Sequence, residues 1–503
     1  MEQKLITVMK RNVRQISKKN VLIAAIACML HAGIIQAQDT ITVSLSKALE
    51  IAMSESPTIK VANKEIERVS YSKKERQGGL LPVVSLSAAY QRAVKKQKMY
   101  LDGFDMSGFV DPQSVYLTNI LPQALGLTVP DAVKSGHEAY MAAMTAPRTG
   151  DGSIEVGRDN TFTSGLSASL PLVAPTLWAT LKMSDIELEA VNESARASKI
   201  SLYNQVTKAY YGILLAQDSY DVIKRSYNNT IENSKIIYNK YKQGTVSEFE
   251  WIRADVQVKN ALSNVVSAES GVNMGKLQLK MLMGIDMYTE LNVEGKLSDF
   301  ESTMYGDVMQ IDTAKLGNNS DLKLFSIQQK QLNQSLKVHE ASLLPVLAAS
   351  FNYQFMSMAN DSGTFTKSQK WFPMSTLGVS LSVPIFQGGS KYYKSKQIKV
   401  QLNELDFQKA NLERSIQLQS ISYMDNIKKS LKKIDSNKEG LRQAEKAVAI
   451  SKKMYEVGSS TYLDFSNAEL AYIQAGLMYN QSIFDYLSAK ADLEKLLGKE
   501  TVK

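Results

Sequence analysis

Thiols and histidines are almost absent from this sequence of 503 residues. The only cysteine is Cys28 and there are three histidines, which excludes disulfides and thiolate metal sites from the rest of the chain. His339 and Glu340 lack the second histidine of a zinc-protease helix, and the glycine-lysine pattern of residues 271–276 is too short for a phosphate loop. We therefore expect no catalytic residue, no cofactor and no metal site, and the chain is not expected to be an enzyme.

Long apolar runs are also missing. No run of roughly 18 apolar residues follows residue 37, so an exported chain could enter a membrane only as a β-barrel. Residues 1–37 begin with basic side chains and continue into the apolar run 21–30, which is typical of a secretory signal peptide. Its removal lowers the formal charge of +9, and no nucleic-acid partner is expected. An alternative interpretation is that Ala25-Ile26-Ala27-Cys28 is a lipidation signal, although a poor match to one, and that Cys28 is lipidated after cleavage.

Proline is absent, and glycine nearly so, from the interiors of residues 175–241 and 389–455. A helix of roughly 65 residues is about 100 Å long. A helix of that length needs a partner along it, and predicted turns at residues 243–247 and 457–461 supply one by folding each helix back as an antiparallel hairpin.

Self-comparison indicates an internal two-fold sequence repeat. Four landmarks recur in the same order, with Leu80 to Val83 matching Leu343 to Val346, Gly165 to Pro171 matching Gly378 to Pro384, Tyr241 and Gly244 matching Tyr455 and Gly458, and Leu282 to Gly284 matching Leu496 to Gly498. The spacing between matches falls by about 50 residues after the first, which locates an insertion in the first half. The predicted segments are a signal peptide at 1–37, a first repeat at 38–284 with a large extracellular loop at 92–160, a linker at 285–310 and a second repeat at 311–503.

Four segments alternate between apolar and polar residues with period two, which is typical of strands in a sheet with one apolar and one polar face. Their apolar positions are Val84, Leu86, Ala88 and Tyr90; Leu166, Ala168 and Leu170; Leu347, Ala349, Phe351, Tyr353 and Phe355; and Leu377, Val379, Leu381, Val383 and Ile385. Any one of them taken alone would equally suit a soluble β-sandwich. Four strands are too few to close a barrel and lipid forbids open edges, so three copies are expected. The predicted fold class is mixed, with a long α-helical coiled-coil tunnel and a four-stranded contribution to a trimeric 12-stranded transmembrane β-barrel.

The repeat, the Leu-Pro strand entries and the Pro-Ile-Phe-Gln-Gly-Gly exit at residues 384–389 together resemble the TolC family of outer-membrane efflux proteins. The likeness extends to the opening helix at Leu45, Ala48, Leu49, Ala52 and Pro57, and to the hairpin tip at Tyr455 to Gly458 with Leu463, Asp464 and Ala468. It implies a homotrimer in the lipid of the cell outer membrane, with a helical tunnel in the periplasm. It also implies tips that dock a periplasmic membrane-fusion adaptor serving an inner-membrane pump of the RND or ABC type.

Two sets of site residues are expected. The periplasmic tip, as adaptor-docking site or gate, comprises Tyr241, Gly244, Glu250, Arg253, Tyr455, Gly458, Asp464 and Asn467. The strand-helix junctions comprise Pro82, Pro171, Pro345, Pro384, Gly388 and Gly389. Glu250 and Asp464 open helices, where the dipole favours a carboxylate, so capping and gating are both open interpretations. The resemblance implies that position 460 is typically an arginine and position 467 typically an aspartate, but this chain has Ser460 and Asn467 there. Arg253, at i, i+3 from Glu250, is therefore the best-placed cation to neutralise the tip carboxylates.

The expected function is a passive outer-membrane exit duct of a tripartite export system, carrying small molecules. One alternative is the exit duct of a type I protein secretion system. The other is an exported coiled-coil structural or adhesin protein, which would not need four alternating strands at duplicated positions.

Overall fold

The computed structural model describes most of the chain as long helices and one main sheet. It describes residues 41–100, 121–126, 128, 130–131, 133–135, 138, 153–309, 316–360 and 370–499. The helices are α1 (Leu45–Glu55), α2 (Pro57–Gly78), α3 (Leu121–Ala124), α4 (Pro175–Lys242), α5 (Glu248–Met283), α6 (Glu301–Met309), α7 (Ser320–Ala341), α8 (Ser390–Glu456) and α9 (Tyr462–Leu496). The strands are β1 (Ile41–Val43), β2 (Val83–Arg92), β3 (Gln97–Tyr100), β4 (Ser153–Val156), β5 (Asn160–Val173), β6 (Leu291–Val293), β7 (Val346–Ala359) and β8 (Phe372–Ser382). The predicted signal peptide and much of the predicted loop at 92–160 lie outside the described residues.

The chain divides into two compact units. The helical unit comprises Met1–Arg76, Trp178–Ala341 and Gln387–Lys503, and the strand unit comprises Gln77–Leu177 and Ser342–Phe386. None of the helices in the described ranges is both long and apolar enough to cross a membrane.

Both long hairpins predicted from the sequence are confirmed. Helix α4 has 68 residues and α8 has 67, so each is about 100 Å long at the usual rise per residue. Each folds back into a helix about half as long, α5 with 36 residues and α9 with 35. We refer to α4 with α5 as hairpin 1 and to α8 with α9 as hairpin 2.

The main hydrophobic core of the helical unit lies around the middle of α4. Ile213 and Leu214 of α4 are fully buried there with Leu279 and Met283 from the end of α5. The same core includes the apolar residues Ala48, Leu49 and Ala52 of α1. Strand β1 pairs in parallel with β6 beside it, and the Tyr210 hydroxyl of α4 donates a hydrogen bond of 2.6 Å to the carbonyl oxygen of Glu294, just after β6.

Each hairpin ends at a glycine that packs against the next helical segment. Gly284 follows α5 with φ 73°, and a Cβ there would lie 2.7 Å from the carbonyl oxygen of Glu55, where α1 meets α2. Gly498 follows α9 with φ 67°, and a Cβ there would overlap the carbonyl oxygen of Asn318, just before α7. The Asn319 amide also donates to the carbonyl oxygen of Leu496, 2.8 Å away. The matching glycines of the two repeats therefore form equivalent joints.

The strand unit contains a four-stranded antiparallel sheet in the order β2-β5-β7-β8. All four strands predicted from the period-two pattern are present. Strand β8 begins earlier than expected, at Phe372, and ends at Ser382 instead of continuing to Ile385. The expected end was wrong because Pro384 has no N–H to donate to the ladder.

The register brings the four apolar sets onto one face. Directly paired residues point to the same side of a sheet, and one such row is Val84, Ala168, Phe351 and Leu377. The adjacent row on the other face is Ser85, Ser167, Asn352 and Thr376. Two hydroxyls of that polar row, on Ser85 and Ser167, are hydrogen bonded at 2.7 Å. The predicted division into an apolar and a polar face is confirmed.

Candidate functional site at the hairpin tips

The tip of hairpin 1 is a tight reversal made by Gly244. Its φ of 72° is a left-handed conformation that suits glycine, and its N–H donates to the carbonyl oxygen of Tyr241 at 2.9 Å. Helix α5 then begins at an N-cap, Ser247, whose side chain accepts a hydrogen bond of 3.3 Å from the backbone N–H of Glu250. The predicted turn at residues 243–247 is confirmed, and Glu250, in the first turn of α5, is half-buried.

The tip of hairpin 2 has the same turn and a stronger cap. Gly458 has φ 78°, and its N–H donates to the carbonyl oxygen of Tyr455 at 3.2 Å. Thr461 and Asp464 form a capping box, in which the Asp464 carboxylate accepts from the hydroxyl of Thr461 at 2.7 Å and from its N–H at 2.9 Å. These hydrogen bonds, the hydroxyl first, lower the pKa of Asp464 below its ordinary value. The Asp464 carboxylate therefore acts as a helix cap in this structure.

The tyrosines at the two tips have different surroundings. Tyr241 stacks on Trp251 of its own hairpin, with ring centroids 5.4 Å apart and planes 9° from parallel. Tyr455 is only 4% exposed and meets Tyr462 edge to face at 6.3 Å. Burial, and then the negative charge of nearby Glu250, raises the pKa of Tyr455 to about 12. Its hydroxyl has no hydrogen-bond partner in the described part of the chain.

At the tips, two cations of hairpin 1 reach aromatic rings of hairpin 2, and farther from the tips Arg225 of α4 lies 5.2 Å from the ring centroid of Tyr472 on α9. The ammonium of Lys240 donates to the carbonyl oxygen of Tyr455 at 2.8 Å and lies 4.3 Å from the centroid of its ring. The guanidinium of Arg253 lies 5.3 Å from the ring centroid of Tyr462. Arg253 was expected beside Glu250, but its side chain turns across to α9, and no ion pair joins it to either tip carboxylate among the described residues.

The structure also shows the two tip positions, 460 and 467, at which the family resemblance implies charged residues. The hydroxyl of Ser460 is buried without a hydrogen-bond partner among the described residues, and Asn467 is exposed on α9. Neither side chain carries a charge, so a network of arginine and paired aspartates is not available from these two positions. No group of three or more histidine, cysteine, aspartate or glutamate residues in the described ranges is placed to hold a metal ion.

A buried carboxylate above the tips was missed from the sequence. Glu469 of α9 is 5% exposed and accepts hydrogen bonds from the Ser226 hydroxyl at 2.6 Å and the Asn229 amide at 2.9 Å, both on α4. Burial raises its pKa above the ordinary value, against the opposing effect of these two donors. The repeat offered a weak signal, because Glu469 matches Asp255, a half-exposed residue that pairs with Lys259 on its own helix.

The residues expected at strand-helix junctions lie close to them with one exception. Pro82 and Pro345 immediately precede β2 and β7, and Pro384 lies between β8 and α8. Gly388 and Gly389 have φ of 61° and 78°, and Gly389 is the N-cap of α8. The exception is Pro171, which lies inside β5 where the register with β7 is irregular. The first residue of α4 is a different proline, Pro175, at the position where a missing N–H costs nothing.

Comparisons with known proteins agree with this geometry. The family model described as outer membrane efflux protein matches residues 138–284 and 313–499, which together make up more than half of the chain. The outer membrane protein TolC of Vibrio cholerae is 22% identical over 73% of this chain and 84% of its own length. The alkaline protease secretion protein AprF of Pseudomonas aeruginosa is 21% identical over 79% of this chain and 84% of its own length.

Among solved structures, the CmeC outer membrane channel of Campylobacter jejuni has a similar fold. It aligns with a TM-score of 0.64 and 18% identity over 91% of this chain and 87% of that one. The resemblance to the TolC family is thereby confirmed. The chain belongs to the outer membrane efflux protein family and is an outer-membrane exit duct of an export system, with its helical tunnel in the periplasm.

Proposed function

We propose that three copies of the chain close a 12-stranded barrel and form one continuous duct. The observation that carries this proposal is the pair of free edges on the four-stranded sheet. Within the described residues, β2 pairs only with β5 and β8 pairs only with β7. Every residue of both edge strands is exposed, and their apolar side chains continue the apolar face of the sheet. In lipid an unpaired edge is not stable, so β2 of one copy must pair with β8 of another.

The helical unit supports the same assembly through two exposed apolar stripes. The stripe on α5 comprises Phe249, Ile252, Val256, Leu262, Val266, Met274, Leu277 and Met281. The stripe on α8 comprises Tyr393, Val400, Phe407, Leu418, Ile421, Ile450 and Met454. Apolar stripes of this length on helices normally pack against other helices. We assign the α5 stripe of one copy to the α8 stripe of its neighbour.

The duct carries cargo passively and has no catalytic step. Its tips receive the cargo from a periplasmic membrane-fusion adaptor and an inner-membrane pump of the RND or ABC type. The cargo we favour is small molecules, since the family is described as efflux proteins. Protein cargo is the second candidate, because the relative from P. aeruginosa is named for protease secretion.

Cysteine crosslinking tests the assembly directly. Because the mature chain is expected to have no thiol, cysteines can be placed at Ser85 on β2 and, in separate variants, at Thr376, Gly378 or Ser380 on β8. Three strand spacings separate β2 from β8 within a chain, about 14 Å, which is too far for a disulfide. One of the double variants should therefore give covalent dimers and trimers in outer membranes, and the single-cysteine controls should give no trimer.

Absence of higher species from all three double variants would contradict the proposed closure, as would a stable folded monomer in detergent. Cargo is tested separately in cells that lack their own duct. Restored drug resistance supports small-molecule efflux, whereas restored secretion of a protease without resistance supports the second candidate.

A further inference from the structure

All four strands of the main sheet connect to long helices at the same end of the sheet. Helix α2 leads into β2, β5 into α4, α7 into β7 and β8 into α8, and the antiparallel register brings these four connections together. Strand β2 finishes at the opposite end with Arg92, which is paired with Asn160 at the start of β5. We refer to this opposite end as the outer end of the sheet.

A row of aromatic residues crosses the apolar face near the outer end. Tyr90 of β2 is paired with Phe162 of β5, and their ring centroids are 4.7 Å apart. One more step of the register between β7 and β8 brings Trp371, just before β8, into the same row. Aromatic residues are concentrated where the apolar band of a membrane barrel meets the lipid headgroups. The row is therefore suited to the outer boundary of a lipid-facing band.

Two cations lie just beyond this aromatic row. Arg92 follows Tyr90 by two residues on the same face of the sheet, a step of about 7 Å along a strand. Lys95 follows three residues later. Both side chains are exposed, and neither forms an ion pair with a carboxylate in the described part of the chain. Their neighbour Lys96 differs, because its ammonium pairs with Asp159 at 3.0 Å.

A third cation comes from the other edge of the sheet. Lys370 precedes Trp371 at the outer end of β8, and it is exposed and without an ion pair among the described residues. Within one chain β2 and β8 are three strand spacings apart, about 14 Å. The closure proposed above brings β8 of the neighbouring copy beside β2 and antiparallel to it. Arg92 and Lys95 of one copy and Lys370 of the next then lie at the same interface.

We propose that each of these interfaces binds the phosphate groups of an anionic lipid in the outer leaflet of the membrane. The inference rests on the closed trimer proposed above, in which the periplasmic tunnel directs the outer end of the sheet to the cell exterior. Arginine and lysine donate charge-assisted hydrogen bonds to phosphate oxygens, and cations near a membrane surface attract anionic lipids. A lipid fits better than a soluble phosphate, because its acyl chains can cover the apolar face beneath the aromatic row.

The test measures binding of lipid A, a doubly phosphorylated glycolipid, to purified trimers in a neutral detergent free of divalent cations. Mass spectrometry of intact trimers counts the lipids retained, and a titration gives the affinity. Arg92→Gln should lower the affinity about fivefold, the effect of one cation near an anionic lipid surface. Adding Lys95→Gln should lower it about fivefold again. Arg92→Lys keeps the charge and should bind nearly as well as the wild type.

Two controls separate the phosphate contact from general stickiness. Lys64→Gln removes one exposed cation from α2 instead of the sheet, so it should leave the affinity unchanged. Lipid A stripped of both phosphates keeps its acyl chains and should bind the wild type weakly. Equal affinity of the wild type and the Arg92→Gln, Lys95→Gln variant would overturn the inference. Equal binding of the two lipids would overturn it as well, since the acyl chains alone would then explain the binding.

The masses of the same samples show whether each variant is a trimer. If the double variant does not assemble, Lys370→Gln decides, with a fivefold loss expected and an unchanged affinity contradicting the inference. A wild-type trimer that retains no lipid A would overturn this inference alone. A wild type that forms no trimer would contradict the proposed closure, and this inference with it.

Discussion

The matching helices of hairpin 1 and hairpin 2 differ in length by only one residue. The same positions of the repeat are nevertheless stabilised in different ways. Asp255 of hairpin 1 is half-exposed and pairs with Lys259, while its counterpart Glu469 is buried between hydrogen-bond donors of α4. Ser247 caps α5 alone, while Thr461 caps α9 in a box with Asp464. The repeat therefore determines where helices begin and end, but the packing of hairpin 2 onto hairpin 1 determines which polar groups become buried.

The largest difference is expected at the joints. Gly498→Ala should lower stability by about 3 kcal/mol, because the new Cβ overlaps the carbonyl oxygen of Asn318 and the left-handed backbone disfavours any side chain. Gly284→Ala should cost less, since its closest backbone atom is 2.7 Å away. Melting temperatures in detergent would rank the two.

The control for both joints is Gly440→Ala. Gly440 lies inside α8, and no atom of a neighbouring element lies within 4 Å of the position that the alanine methyl group would occupy. Alanine there should therefore stabilise the protein by up to about 1 kcal/mol, because it favours the helix more than glycine does. Equal losses at all three glycines would show that the joints are not specially packed.

The buried carboxylate gives the second comparison. Asn229→Ala leaves the Glu469 carboxylate with one donor fewer in a buried site and should cost about 2 kcal/mol. Asp255→Ala breaks an exposed i, i+4 pair and should cost no more than about 0.5 kcal/mol. Thermal melting of both variants checks this, and similar small shifts would contradict the burial of Glu469.

The same residue predicts a pH dependence. The pKa of Glu469 is raised above its ordinary value of 4.5, so the folded chain holds a proton at pH values where the unfolded chain has lost it. The stability contributed by this residue is therefore fully present below the ordinary value of 4.5 and is lost as the pH rises from there through the raised pKa. Relative to the wild type, Glu469→Gln should gain melting temperature as the pH rises from the ordinary value of 4.5 through the raised pKa. A relative loss over that range would show that the carboxylate is stabilised as an anion.

The caps give a smaller difference. Thr461→Ala should cost about 1 kcal/mol, because it removes the hydroxyl that caps α9 and one of the two hydrogen bonds to the Asp464 carboxylate. Ser247→Ala should cost less, since the Ser247 cap has no reciprocal partner in the structure. Thr461→Ser keeps the oxygen and serves as the control; a loss as large as that of alanine would argue against a capping role.

The smallest effect is expected from adding the tip charges implied by the family resemblance. Ser460→Arg together with Asn467→Asp should lower channel conductance, by less than about fivefold because exposed ion pairs are weak. The melting temperature should hardly change. Raised conductance would show that the added charges repel the carboxylates already at the tip.

The elements themselves were readable from the sequence, and several contacts between them were not. Period-two patterns predicted the four strands, and Gly244 and Gly458 predicted the reversals, because these signals depend on neighbouring residues alone. The contact between Lys240 and Tyr455 depends on how two helices far apart in sequence lie side by side. Glu469 was not singled out from the sequence, since burial of that residue type is uncommon.

The joints at Gly284 and Gly498 have a mechanical consequence. In each hairpin one helix is continuous for about 100 Å, while the other ends about halfway, where it meets the next helix through a noncovalent contact. Under tension or bending the continuous helix acts as a stiff rod, and the compliance of the pair is concentrated at the glycine joint. A force applied at either tip is therefore expected to open that joint before it distorts the rod.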